Sequence, residues 1–281
     1  MGVHVSISGK IFESVDRAKA LGCATMQIFS HNPRGWKVSP LLDEDVRIFR
    51  ERLKKSGIRP LVVHTSYLVN LASPNEELYE RSITSFESDL ERADRLGAAF
   101  LVTHLGSSKG RSVAYGIRRV SLALNSVLEN NPGRDVRIAL ENTAGSGSAV
   151  GYDLRHIKQI IDSVKDGTSL GLCFDTCHGF GSGYDLRDAQ SVDSLIEKID
   201  TLLGLDRLWL IHLNDSKGHL GSRIDRHEHI GRGKIGLKGF KILINHPSLR
   251  EIPMILETPK KSDKDDITNL SIVKSLRTYT N

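Results

Sequence analysis

The segment 169–180 reads SLGLCFDTCHGF, and it shows the pattern on which the fold prediction rests. Residues 170–175 form a short, almost continuous apolar run, which is typical of a parallel strand covered on both faces. The run ends in Asp175, and His178 follows three residues later. A carboxylate and an imidazole at the end of a buried strand need a chemical explanation, because burying an uncompensated polar group costs free energy.

Seven more short apolar runs alternate with segments whose apolar residues recur every three or four positions, the spacing of an amphipathic helix. The pattern predicts eight strands, at 3–7, 25–30, 59–64, 99–104, 136–142, 170–175, 208–214 and 253–258. The predicted helices cover 11–22, 43–57, 73–97, 111–130, 153–165, 190–204, 236–246 and 264–278.

Eight βα units in 281 residues predict an α/β fold, and they favour a closed (β/α)8 TIM barrel. We expect a single domain over 1–281, since no linker or low-complexity tract divides the chain. An open doubly wound sheet is the alternative. No strand-to-helix turn carries the GxGxxG motif of dinucleotide-binding sheets, which argues against it.

Composition narrows the functional classes. No apolar run approaches the roughly 20 residues of a membrane span, and the N-terminus lacks the pattern of a secretory signal, so no membrane partner is expected. Three cysteines without CxxC spacing predict reduced thiols and a cytoplasmic location. The net charge of +5 is a mild indication of a polyanionic partner. Nothing in the sequence suggests an obligate interface, so we expect a monomer.

Six of the predicted strands carry a side chain that can bind a metal at or near their C-terminal end, about one βα unit apart. They are His64, His104, Glu141, Asp175, His212 and Glu257. In a TIM barrel these side chains meet at the C-terminal rim, where active sites lie. Any one of them could be a hydrogen-bonded core residue or a helix cap. Six in register favour a metal centre, because histidines and carboxylates suit Zn²⁺, Mn²⁺ or Fe.

Three further candidates lie outside the strand ends. His178 follows Asp175 closely, and the long loop SRIDRHEHIGRGKIG (222–236) contains Asp225 and His227. Residues i and i+2 of an extended segment point to the same side, and loops of this length are usually functional. We therefore predict that His178 faces Asp225 and His227.

Seven motifs together resemble endonuclease IV, the metal-dependent family of apurinic/apyrimidinic endonucleases of base-excision repair. They are HTSYLVNLA (64–72), HLGS (104–107), ALENTAGSG (139–147), FDTCHGFGSGYDL (174–186), HLNDSK (212–217), GSRIDRHEHIG (221–231) and ILET (255–258). The resemblance spans almost the whole chain and implies a TIM barrel with three zinc ions at the C-terminal face. The implied ligands are His64, His104 and Glu141 for the first ion, Glu141, Asp175, His212 and Glu257 for the second, and His178, Asp225 and His227 for the third.

The resemblance also implies the activity of a deoxyribonuclease IV. Such a hydrolase cleaves double-stranded DNA on the 5′ side of an abasic site, leaves a 3′-hydroxyl and a 5′-deoxyribose phosphate, and trims blocked 3′ ends. Glu141 would be the catalytic residue, bridging two ions that activate water; the ions would be Zn²⁺, with Mn²⁺ possible at some sites. The implied DNA contacts are Arg34, which can reach phosphates, and Tyr67 and Leu68, which can wedge into a base step.

Two other functions compete with this interpretation. A sugar isomerase of the xylose-isomerase type shares the barrel and a two-metal cluster, but it needs neither a third metal site nor the aromatic and basic loops near 31–37 and 64–70. A non-catalytic metal-binding or nucleic-acid-binding protein is disfavoured, because structural zinc sites are usually closed by Cys and His.

Overall fold

The computed structural model describes residues 1–278, and its centre is a closed barrel of eight parallel strands. The strands of the chain are β1 Gly2–His4, β2 Thr25–Phe29, β3 Leu61–His64, β4 Phe100–His104, β5 Arg137–Glu141, β6 Leu170–Asp175, β7 Leu208–His212, β8 Asp215–Ser216, β9 His227–Glu228 and β10 Met254–Leu256. The first strand pairs with both β2 and β10, which closes the barrel. The TIM barrel prediction is confirmed and the open sheet is wrong. The two short strands β8 and β9 form a separate antiparallel pair outside the barrel.

Helices surround the barrel and lie close to their predicted positions. They are α1 Glu13–Ala20, α2 Asp43–Ser56, α3 Glu76–Leu96, α4 Val113–Asn130, α5 Leu154–Ser163, α6 Thr176–Ser182, α7 Ala189–Leu203, α8 Gly236–Asn245 and α9 Asp263–Leu276. Residues 279–281 of the predicted domain lie outside the described residues. Within residues 1–278, no helix combines the length and the apolar character needed to cross a membrane.

The ends of the outer helices follow from local chemistry. The Asn75 side chain accepts a hydrogen bond from the Leu78 N–H and so caps the start of α3. Both α2 and α3 end at a glycine, Gly57 and Gly97, whose φ angles of 70° and 79° are the left-handed conformation in which glycine is favoured.

One helix, α6, was not predicted. Its seven residues include Gly179 and Gly181, which disfavour a helix in a propensity-based reading. The helix begins at this point because Asp175 caps it: Asp175 Oδ1 accepts from the His178 N–H at 2.8 Å. The turn after β6 is therefore a rigid helical one rather than an open loop.

The alternation of side chains along each strand separates the barrel interior into layers. In each of the six strands with a metal-capable side chain at or near its end, an apolar residue lies two positions before that side chain. These apolar residues belong to a buried cluster that is distinct from the main core between the barrel and the helices. Its members at this level are Val62, Val102, Ala139, Cys173, Leu210 and Ile255. Because strand side chains point to one face every second residue, an apolar floor inside the barrel places the polar layer at its mouth.

Candidate metal centre

Glu141, at the end of β5, is the centre of the polar layer and is fully buried. Its Oε2 lies 3.1 Å from His64 Nε2 and 3.6 Å from His104 Nε2. Its Oε1 lies 3.1 Å from His212 Nδ1 and 3.2 Å from His178 Nδ1. One carboxylate therefore faces histidines from four different elements, with two histidines on each oxygen.

The other carboxylates lie around the same histidines. His212 Nδ1 is 3.2 Å from Glu257 Oε2 and 4.0 Å from Asp175 Oδ2. His178 Nε2 is 3.1 Å from Asp225 Oδ1, and His227 Nε2 is 3.6 Å from the same Asp225 atom. All nine side chains predicted as metal ligands are therefore close together.

The nine residues divide into three groups, within each of which the possible ligand atoms lie within 4.8 Å of one another. The groups are His64, His104 and Glu141; Glu141, Asp175, His212 and Glu257; and His178, Asp225 and His227. These are the ligand sets implied by the family resemblance, with Glu141 shared by the first two. Metal ligation itself stays a prediction.

Cys177 also lies near Asp175 and His227. It is fully buried, and this burial raises the pKa of its thiol to about 12. A protonated thiol is a poor metal ligand, because the thiolate is the ligand form. The three cysteines Cys23, Cys173 and Cys177 are all free and buried, as predicted for small core residues.

In two histidine rings, those of His64 and His227, Nδ1 is fixed by a hydrogen bond to a backbone carbonyl, an arrangement that suits metal binding by the other ring nitrogen. His64 Nδ1 donates to the Thr65 carbonyl at 2.7 Å, and His227 Nδ1 donates to the Glu257 carbonyl at 2.9 Å. These bonds leave the Nε2 of each ring as the nitrogen that a cation would bind once it replaces a proton. The buried Nε2 of His227 has no hydrogen-bond partner. Metal-binding histidines commonly have their other nitrogen fixed in this way, so the donor set fits a bound metal.

Asn142 and Asn214 hold the backbone around Asp175. The Asp175 N–H donates to Asn142 Oδ1 at 2.7 Å, and Asn214 Nδ2 donates to Asp175 Oδ2 at 2.7 Å. Asn214 also accepts from the Glu257 N–H at 2.7 Å. These amides link β5, β6, β7 and the end of β10, so they fix the carboxylates relative to one another.

Electrostatics keep the carboxylates charged, both in the buried Glu141 and in Asp225, whose side chain is 51% exposed. Burial raises the pKa of Glu141, but the charges of His104 and His212, with hydrogen bonds from His178 and His212, bring it well below its usual range. Burial likewise raises the pKa of Asp225, and the hydrogen bond and charge of His178 lower it to about 2. Ionised carboxylates at neutral pH are the form that binds cations.

Two further residues of the polar layer were not among the predicted metal ligands. Gln27 Nε2 donates to Glu257 Oε1 at 2.6 Å, and its Oε1 accepts from His212 Nε2 at 2.8 Å. His4 Nδ1 lies 3.3 Å from Glu257 Oε1 and 2.9 Å from Gln27 Nε2. Gln27 in β2 and His4 in β1 therefore complete the polar layer. The sequence signal that could have identified them is a polar residue inside an otherwise apolar strand.

The loop that carries Asp225 and His227 is anchored by a buried aspartate. Asp215, in β8, accepts hydrogen bonds at 2.9–3.0 Å from three backbone N–H groups of the loop, those of Gly231, Gly233 and Ile235. Pairing of β8 with β9 holds His227 itself. A segment almost without regular structure thus has a fixed path beside the third group.

The predicted DNA-contacting residues lie on two neighbouring loops beside the cluster. Tyr67 is 61% exposed, Arg34 is exposed and Leu68 is half-buried. Ser66 Oγ donates to the Pro33 carbonyl at 2.8 Å and joins the two loops. The structure therefore brings the three side chains to one surface; it does not test their role.

Both loops are tied to α3 by buried charged residues. Asp89 accepts from the Ser30 hydroxyl at 2.6 Å and from the Ser66 N–H at 3.2 Å. Arg92 donates to the carbonyls of Ser30 and Ser39 at 2.6 and 3.0 Å. Helix α3 therefore fixes both segments at once.

Two adjoining cavities open at this surface. One, of about 340 Å³, contains the metal-capable side chains His64, His178 and His227. The other, of about 580 Å³, runs from Trp36 past Leu68 to His178 and Asp225. Tyr67 lines both. The arrangement provides an extended groove that leads to the cluster rather than a closed pocket.

Comparisons with known proteins agree with this geometry. A family model described as a xylose isomerase-like TIM barrel matches residues 15–277. A probable endonuclease 4 of Methanoculleus marisnigri is 46% identical over 276 residues, covering 98% of each chain. The chain belongs to the endonuclease IV family. A crystal structure of endonuclease IV from Thermus thermophilus shares 36% identity with this family member at a TM-score of 0.87, over 98% of this chain and 97% of that one.

The same barrel also occurs outside the endonuclease IV family. A D-tagatose 3-epimerase-like protein superposes with a TM-score of 0.76 at 20% identity, over 98% of this chain and 97% of that one. Identity this low shows the common fold alone. The family assignment rests on the endonuclease IV relatives, which match the chain over almost its whole length.

Proposed function

We propose that this endonuclease IV family member is a metal-dependent hydrolase that cleaves double-stranded DNA on the 5′ side of abasic sites, leaving a 3′-hydroxyl and a 5′-deoxyribose phosphate, and that it trims blocked 3′ ends. It would hold three Zn²⁺ ions per chain, with Mn²⁺ able to replace some of them. It would act as a monomer in the cytoplasm. All nine candidate ligands come from one chain, and its three cysteines are unpaired.

The observation that carries the proposal is the position of Glu141 in two ligand groups at once. A carboxylate that belongs to both groups would supply a ligand to a cation in each of them. Bound cations supply Lewis-acid activation of water and neutralise charge that develops on a phosphate. A bridging, fully buried carboxylate beside an open groove suits a reaction centre better than a storage or structural site.

The residues of the chain divide the remaining work between them. Glu141 would hold the first two ions, His178, Asp225 and His227 would hold the third, and the amides of Asn142 and Asn214 would keep Asp175 in place. These positions are set before substrate binds, because the backbone around them is hydrogen-bonded. Preorganisation of this kind is a large part of catalysis.

Selectivity for damage would come from the loops at the groove. An abasic nucleotide has lost its stacking, so moving it out of the helix costs less free energy than moving a normal nucleotide. Tyr67 and Leu68 could enter the gap, and Arg34 could hold the adjoining backbone. Ser66, which joins the two loops, would keep the wedge and the arginine in register.

An incision assay on a duplex with a single abasic site tests the function. We expect cleavage on the 5′ side, loss of cleavage after chelation and recovery when Zn²⁺ is restored, with close to three ions per chain by emission spectroscopy. The variant Glu141→Gln removes the bridging charge, so it should lose at least about 1000-fold in kcat, the order of a lost preorganised electrostatic contact or more.

Two results would contradict the proposal. Full incision by folded Glu141→Gln would exclude the shared-carboxylate mechanism. Absence of incision by the zinc-loaded wild type, together with interconversion of aldose and ketose sugars, would favour the sugar-isomerase function instead.

A further inference from the structure

Lys260 lies beside the candidate metal centre although no motif of the sequence analysis includes it. It follows β10 closely and lines the 340 Å³ cavity together with His64, His227 and Glu257. Among the described residues that line this cavity, it is the only lysine or arginine. Its neighbour Lys261 is exposed and does not line the cavity.

The Lys260 side chain is held in place from behind. Its Nζ forms an ion pair with the carboxylate of Asp266, which is 5% exposed, and a second pair at 3.2 Å with the more exposed Asp263. Both aspartates belong to the first turn of α9. A long cation that would otherwise sample many rotamers is therefore restricted to the wall of the cavity.

Lys260 shares this cavity with members of all three ligand groups. A DNA strand that reaches the ligand groups brings phosphates on both sides of the bond to be cleaved. A lysine ammonium binds phosphate as a point charge. The Lys260 side chain lines the cavity and remains 30% exposed while it is paired with Asp266, so it is accessible to such a phosphate.

We propose that Lys260 is a phosphate-binding residue for the DNA strand that enters the metal cavity, and that Asp266 is its positioning residue. This inference rests on the proposed function, since it takes DNA as the substrate. Its ligand is a backbone phosphate next to the cleaved bond.

The competing explanation is that Lys260 only neutralises Asp266. Removing the lysine alone would then leave a buried carboxylate uncompensated and disturb α9, with a secondary loss of activity. The double variant Lys260→Gln/Asp266→Asn removes both charges together and leaves no buried carboxylate uncompensated, since the remaining partner Asp263 is 70% exposed. It therefore separates a structural role from phosphate binding even if Lys260→Gln fails to fold.

The experiment measures kcat/KM for incision of an abasic duplex across a series of salt concentrations. Each phosphate contact contributes about 0.9 to the slope of log K against log salt. We expect Lys260→Gln and the double variant to lose about 0.9 of slope and roughly 10-fold in kcat/KM at low salt, with an unchanged metal content. Lys261→Gln, the matched charge control, should keep the wild-type slope, and Lys260→Arg should restore most of it.

The inference is overturned if the double variant has the wild-type slope and kcat/KM, or if Lys261→Gln loses as much slope as Lys260→Gln. Wild-type incision in the same assay reports on the proposed function separately. A wild type that cleaves abasic DNA while the double variant matches it would remove the role of Lys260 and leave the function standing.

Discussion

His178 shows how strongly the nine side chains are arranged for positive charge. Burial lowers the pKa of its imidazole, but Asp175, Asp225 and Glu141 raise the pKa well above its ordinary value. Without ions, protons on such histidines must offset the carboxylates. The same positions offer lone pairs once a cation replaces the proton, so metal loading should release protons to the buffer.

Tyr67→Ala tests the wedge at the level of a single residue. The ring packs edge-on against Phe29 at 4.9 Å, yet 61% of the residue is exposed. Its removal should therefore change binding more than folding. We expect about a 10-fold or greater loss of affinity for abasic duplex and a much smaller loss for intact duplex, because only the damaged site offers a gap to fill. Fluorescence anisotropy with both duplexes measures the difference.

An equal loss of affinity on the two duplexes would show that Tyr67 contributes general backbone contacts instead of a wedge. Tyr115 provides a control: it is half-buried on helix α4 and lines neither cavity. Tyr115→Ala should leave both affinities unchanged.

At the residue scale, the strand pattern predicted which donors converge but not what holds them. His64, Glu141 and Asp175 end three different strands that are far apart in the sequence. Only the closure of the barrel brings them together. Gln27 was missed because a single polar residue inside an apolar strand, although visible in the sequence, forms no repeating pattern with its neighbours. Lys260 was missed because its partner Asp266 lies in a helix whose packing no local pattern reveals.

Among the secondary-structure elements, helix α3 positions two loops at once, because its Asp89 side chain accepts hydrogen bonds from Ser30 and Ser66. In Asp89→Asn one of the two carboxylate oxygens is replaced by an NH2 group, which is a donor. The side chain can then no longer accept from both the Ser30 hydroxyl and the Ser66 N–H. We expect a loss of about 1–3 kcal/mol in the free energy of unfolding, the range for an unsatisfied buried group, measured by urea denaturation. We also expect a raised KM for abasic DNA, because both DNA-facing loops lose an anchor.

Asp94→Asn is the matched control on the same helix. Asp94 is 38% exposed and pairs with Arg134 at 3.4 Å, so the substitution should cost less than about 1 kcal/mol and leave KM unchanged. If the two variants behave alike, the anchoring role of Asp89 is wrong.

Elements with strong periodicity were predicted within three residues, whereas those specified by tertiary contacts were not. The barrel strands and outer helices belong to the first class. The second includes α6, whose start depends on Asp175, and the pair β8–β9, which contains two residues in each strand. Short elements of this kind bury too little surface to leave a pattern in the sequence.

For the whole molecule, the ligand groups join strands that are far apart in the chain. The second group contains residues from β5, β6 and β7 and the residue after β10. A bound cation therefore stabilises the closed barrel against opening, in addition to its chemical role. The free energy gained depends on how far the metal concentration exceeds the dissociation constant.

Metal removal should consequently lower the thermal midpoint. One site filled at 100 times its Kd stabilises a protein by about 2.7 kcal/mol, and a chain of this size gains about 2–4 °C per kcal/mol. We expect chelation to lower Tm by at least about 5 °C, measured by calorimetry, and Zn²⁺ to restore it. An unchanged Tm at full demetallation would show that the barrel closes independently of its ions.

Asp175 occupies a position where two separate demands select the same amino acid. Its side chain caps α6 and also belongs to the second ligand group. Glutamate serves as the candidate ligand at 141 and 257, but it is a poor helix cap, because capping favours the short side chains of Asp, Asn, Ser and Thr. Exchange to glutamate could preserve the charge and still displace His178 by shifting the start of its helix. The position of His178 in the third group therefore depends on the Asp175-capped turn that begins α6.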